Sequence, residues 1–122
     1  MVYAGLAFAG LAALVHVYIF VIESLRFEAP STLRAFGIRP EEAAVMKPWA
    51  YNQGFYNLFL AIGAAVGIGI EHSYGPELVL FCCAGMFAAA MVLVTSDRSK
   101  ARGAIIQGTA PALALLFLLV GR

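Results

Sequence analysis

Residues 2–25 read VYAGLAFAGLAALVHVYIFVIESL, and this stretch decides the fold. It holds no lysine or arginine, one carboxylate (Glu23) and one imidazole (His16), among side chains that are otherwise mostly apolar or small. A helix rises about 1.5 Å per residue and the hydrocarbon layer of a bilayer is about 30 Å thick, so roughly 20 such residues cross it. The run is long enough, and it lacks the basic start and small-residue cleavage site of a secretory signal. It is therefore expected to be a retained membrane helix.

Working outward, residues 50–70, 78–94 and 104–120 repeat the apolar pattern, the last two at the short end of what spans a bilayer. Of the 122 residues 62% are hydrophobic and 12% charged, whereas a soluble domain carries about a quarter charged residues. The expectation is an all-α polytopic membrane protein, a single transmembrane domain over residues 1–122 built as a four-transmembrane-helix bundle. Close packing is expected at the small-residue steps Gly63/Gly67, Gly85/Ala89 and Gly108/Ala112. Pro111 is expected to bend the last helix. The adjacent Cys82 and Cys83 cannot bridge each other without strain and read as small buried hydrophobes.

The basic residues set an orientation, because cytoplasmic loops retain lysine and arginine. Arg26, Arg34, Arg39 and Lys47 precede the second helix, and Arg98, Lys100 and Arg102 separate the third from the fourth. The stretch from Glu71 to Glu77 has none, so an N-out, C-out chain leaves only Arg122 outside. The first cytoplasmic loop is expected to carry short interfacial helices. Pro30-Ser31-Thr32 starts one that Gly37 stops, and Pro40 with Glu41 and Glu42 starts another. Phe27, Leu33, Phe36 and Ile38 give the loop an apolar side, to lie on the membrane interface or over the bundle mouth. Trp49 and Tyr51 belong at headgroup level.

Polar groups inside the spans carry the functional signal, since each is costly in lipid and must face a partner. His16 and Glu23 lie seven residues apart, so they share one helix face about 10 Å apart along the axis. Asn52, Gln53, Tyr56 and Asn57 crowd the start of the second helix, with i,i+4 pairs at 52/56 and 53/57. Gln107 enters the fourth. All fall in the cytoplasmic half, while the outer half is nearly all aliphatic or small. This gathering suggests a polar cavity open to the cytoplasm, with His16 and Glu23 as acid and base and Asn52, Gln53, Tyr56, Asn57 and Gln107 as ligand-binding groups. Plainer readings stay open: Glu23 paired with Arg26 or Lys47, His16 bonded to Asn57 or Gln107 as interhelical glue, and Asn52 and Gln53 capping a helix start.

These residues carry a resemblance. His16-Val17-Tyr18-Ile19-Phe20 with Glu23, Ala35-Phe36-Gly37 with Lys47-Pro48, Asn52-Gln53-Gly54-Phe55-Tyr56-Asn57 with Phe59-Leu60-Ala61, and Gln107-Gly108 with Pro111-Ala112 resemble the bacterial domain of unknown function 1304 family. The likeness covers essentially the whole chain, and the run from Asn52 to Asn57 is its most specific part. It implies a small four-helix membrane protein and supplies no reaction. Phe27 stands in the neighbourhood where such proteins often have Trp.

Three functions compete. The first is binding or transforming a lipophilic small molecule or lipid, by acid/base isomerisation or hydrolysis if chemistry occurs. The second is a small proton- or cation-coupled transporter working through Glu23, assembled as a homo-oligomer because four short helices enclose little space. The third is a structural or accessory membrane subunit. A net charge of +1 with scattered basic residues excludes a nucleic-acid footprint. No cofactor is expected, because His16 and His72 lie at different depths and cannot pair across a haem. No metal is expected at His16 and Glu23, which lack a third ligand. The expected location is the bacterial inner membrane.

Overall fold

A computed structural model of the chain describes residues 1–70 and 73–122. Every regular element among them is helical. Helix α1 (Val2–Phe20) runs without interruption into a π-helical turn, Val21–Leu25. Then come α2 (Pro30–Phe36), α3 (Pro40–Gly69), α4 (Tyr74–Ser96), a 3-10 turn at Arg98–Lys100, and α5 (Ala101–Val120).

The four long helices close a ring in which α1 touches α3 and α5, and α4 touches the same two from the opposite side. Small side chains let them approach. Ala12, Ala13, Ala61, Ala64, Cys82, Met86 and Ala110 form one buried cluster. Ala9, Val79, Cys83, Ala114 and Leu118 form another towards the end that holds Met1 and Gly121. Both cysteines are free and buried. Where lipid tails are as apolar as the side chains, such packing holds helices together by dispersion over matched surfaces.

Among the described residues three segments are long and apolar enough to cross a membrane: Val2–Leu25, Tyr74–Ser96 and Arg98–Val120. They account for three of the four expected spans; α3, the longest helix at 30 residues, is not among them. Its run Asn52-Gln53 to Tyr56-Asn57 dilutes the hydropathy of the part free of charge.

The first loop departs from expectation in one respect. Pro30 opens α2, and Gly37, at φ 66°, ends it in the left-handed conformation that costs glycine least. Pro40 opens no separate short helix. It sits in the first turn of α3 itself, which continues through Pro48. Proline removes one helical hydrogen bond, but its φ is helical. The turns before Pro48 are held from outside. Ala43 and Ala50 pack with Phe27 and Leu33, flanked by Phe36 and Ile38, and Lys47 Nζ lies 2.7 Å from Glu28 Oε1. The apolar side of the loop thus packs onto the start of α3. At the helix start, Glu42 accepts from the backbone and side-chain nitrogens of Arg39 at 3.3 and 2.8 Å. Those bonds hold its carboxyl below the usual range.

A second tie joins the two basic connections. Lys100 Nζ donates to the Phe36 carbonyl, placing both at one end of the ring. At the other end Arg122 pairs with Glu77. Helix α5 is continuous through a buried Pro111.

Candidate functional site

The π turn is the local feature that sequence patterns do not signal. One extra residue per turn widens the end of α1, and such turns recur at functional sites. It presents Ser24 and Glu23 towards α3. Ser24 Oγ donates to the Tyr51 carbonyl at 2.7 Å, and Gly54 lies where any side chain would run into Ser24. The absence of a Cβ at Gly54 is what lets α3 come this close.

That approach lets the Asn57 amide donate to Glu23 Oε1 at 2.7 Å. Asn57 also donates to the Gln53 carbonyl one turn back at 3.2 Å, which fixes its orientation. No basic side chain reaches Glu23. Lys47 is engaged by Glu28, and Arg26 forms no ion pair among the described residues. The carboxyl is half-buried, with Oε2 free of any hydrogen bond to the described residues. Aromatic rings also join the two helices: Phe20 meets Phe55 edge-on at 5.0 Å, and Phe55 meets Tyr51 at 5.0 Å.

His16 lies deeper and is 1% exposed. Its Nδ1 is 2.8 Å from the Ala12 carbonyl, a contact that requires the proton on Nδ1 and leaves Nε2 as an acceptor. His16 thus bonds within its own helix, and its bond is not the interhelical one to Asn57 or Gln107 that the plainer reading offers. His16 and Glu23 are not hydrogen-bonded to each other.

The other candidates are distributed. Gln107 is half-buried on α5, while Asn52, Gln53 and Tyr56 are exposed on the outside of α3. The two hollows that stand out lie away from these groups. One, of about 470 Å³, is bounded by Glu28, Leu33, Arg34, Ile38 and Arg39 beside α2. The second, of about 390 Å³, is a groove between α4 and α5 floored by Ala90, Ala104 and Gly108. Among the described residues no three histidine, cysteine, aspartate or glutamate side chains gather to hold a metal. His72 lies outside the described residues.

A family model described as "Protein of unknown function (DUF1304)" matches residues 10–119. The chain belongs to that family. No curated protein and no solved structure matches it. The DUF1304 match takes in every candidate residue, from His16 and Glu23 on α1 to Gln107 on α5, together with the π turn and the α4–α5 groove.

Proposed function

We propose that the chain is a four-span membrane protein, N-out and C-out in a bacterial plasma membrane, that binds a lipophilic molecule through the Glu23 carboxyl. In this reading the uncharged part of α3 is the fourth span, tolerated because its amides sit near the bilayer surface, level with the end of α1. The tie from Lys100 to Phe36 supports the orientation, since it brings both basic connections to one face. Arg122, the one basic residue at the opposite end, is neutralised by Glu77.

The observation that carries the binding reading is the incomplete partnering of Glu23. Among the described residues it has one amide donor, no cation and an open oxygen, at the end of α1 where Phe20 meets Phe55 across to α3. A carboxyl near lipid recruits a donor to satisfy that oxygen. A hydroxyl or amine on a molecule whose body lies against Phe20 and Phe55 fits. Binding is favoured over catalysis, because His16 is tied to its own helix about two turns away. A transporter would need polar groups continuing into the outer half, which is aliphatic.

Native mass spectrometry of the protein extracted in mild detergent tests the reading. A mass retained at one per chain in the wild type, kept in His16→Ala and lost in Glu23→Gln at unchanged helicity, is the expected result. Retention in Glu23→Gln, or no retained mass, would overturn it. A second reading, an accessory subunit in which the polar groups are only interhelical ties, is favoured by the direct Asn57–Glu23 bond. Stoichiometric co-purification of a partner protein would select it.

A further inference from the structure

We propose that the groove between α4 and α5 is a binding site for an anionic phospholipid, one acyl chain lying in the groove and the phosphate held by Arg98 and Arg102. The inference rests on the membrane-spanning reading and concerns a different place from Glu23.

The groove is apolar along its length and small-floored. Ala90, Ala104 and Gly108 form its floor, while Phe87, Met91 and Ile105 stand beside it as partly exposed walls. Its volume of about 390 Å³ falls in the range of small-molecule sites. The floor is shallow because Gly108 brings α5 against α4: a Cβ there would stand 2.8 Å from that of Ala90.

Charge at the mouth selects the occupant. Past Val94 on the α4 wall the helix ends at Ser96, the extended backbone of Asp97 turns the chain, and Arg98 opens the 3-10 turn of the connection at this end of the groove. The α5 wall at Thr109 and Ile105 is continued in the other direction by Arg102. Both arginines are exposed, and neither joins an ion pair among the described residues. Asp97, the carboxylate in the same turn, accepts from the Ser99 amide and hydroxyl at 3.0 and 2.6 Å through Oδ1 and pairs with neither arginine, and Lys100 is turned away to Phe36. Two unpaired arginines therefore lie in the connection where the apolar channel, lined there by Val94 and Ala101, reaches the basic end of the protein. Guanidinium forks match phosphate oxygens. A zwitterionic lipid would fill the channel and leave the net positive charge at its mouth unanswered, whereas an anionic lipid satisfies both.

The test presents the full chain in detergent with equal amounts of phosphatidylglycerol and phosphatidylcholine and reads bound lipid by native mass spectrometry. Each arginine near an anionic headgroup adds roughly a fivefold preference, so Arg98→Gln with Arg102→Gln should bring a strong preference for phosphatidylglycerol close to parity. Thr109→Trp, which fills the groove from its exposed edge, should lower retention of both lipids. An unchanged preference in the double glutamine variant, or unchanged retention in Thr109→Trp, overturns the proposal. So does displacement by soluble glycerophosphate, which would mark a bare anion site, or a dimer that forms as lipid is lost, which would give the groove to a second copy. Insertion of the wild type into vesicles is read separately by flotation. Failure to insert would remove the spanning reading and this one with it, whereas insertion without lipid preference removes this one alone.

Discussion

The two ends of the helix ring are built by different means. Inside the end with Met1 and Gly121 the helices pack through apolar contacts, with Leu118 seated against Gly5 and among Ala9, Val79, Cys83 and Ala114, and the Arg122–Glu77 pair lies exposed at its rim. At the end with the basic connections, α1 widens into a π turn, and polar bonds cross from it to α3 at Ser24–Tyr51 and Glu23–Asn57. The first end is determined by shape, and among the described residues no buried polar side-chain atom there lacks a partner. The second is held by directional bonds and leaves one carboxyl oxygen open, so function is assigned to it.

Mutations can break or sharpen this contrast. The largest effect should come from the apolar end, where Leu118→Ala leaves a void that neighbouring helices cannot fill. It should cost about 2–3 kcal/mol in denaturant titrations of micelle-embedded protein while retained ligand is unchanged. At the polar end, Gly54→Val should push α3 off the π turn at about 1–2 kcal/mol, and ligand retention should fall with it. Asn57→Leu removes the one donor to Glu23 without adding bulk and should cost about 1 kcal/mol, because the half-open carboxyl regains water. Its effect on ligand retention should exceed that of Leu118→Ala despite the smaller loss of stability. Lys47→Ala breaks an ion pair exposed on both partners and should cost under about 0.5 kcal/mol, vanishing in high salt.

The smallest effect is a pH dependence at the start of α3. The bonds from Arg39 lower the folded-state pKa of Glu42 from 4.5. The capping contribution is thus fully present above that value and fades as pH falls through the folded one. The protection factor of the Arg39 amide, which donates to Glu42, should fall under acid once the intrinsic pH dependence of exchange is divided out, and should not change with pH in Glu42→Gln.

Much of this was legible in the sequence for physical reasons that can be named. Apolar runs and their lengths locate the long helices, and Pro30 and Gly37 frame α2 because their backbone restrictions are intrinsic. The fusion of the Pro40 turn with α3 was hidden, since Pro48 reads as a break. Only tertiary packing of Ala43 and Ala50 on Phe27 and Leu33 carries the helix across it. The π turn leaves no mark in residue type. Whether Lys47 pairs with Glu23 or Glu28 depends on a few ångströms of loop path, beyond the reach of spacing arguments. His16 bonding its own helix is a rotamer choice that no pattern encodes. Polarity in the spans pointed to Glu23 and Asn57, and it equally pointed to Asn52, Gln53 and Tyr56, which the fold turns outward.

The most direct measurement is the isotope-edited infrared spectrum of the Glu23 carboxyl, assigned by subtraction of Glu23→Gln, before and after exhaustive delipidation. Bound to a donor from a lipophilic molecule, the carboxyl band should move when that molecule is stripped and return when the extract is added back. A band that stays in place through both steps would mean that Glu23 is satisfied by the protein alone, and that the polar end, like the apolar one, serves only to hold helices together.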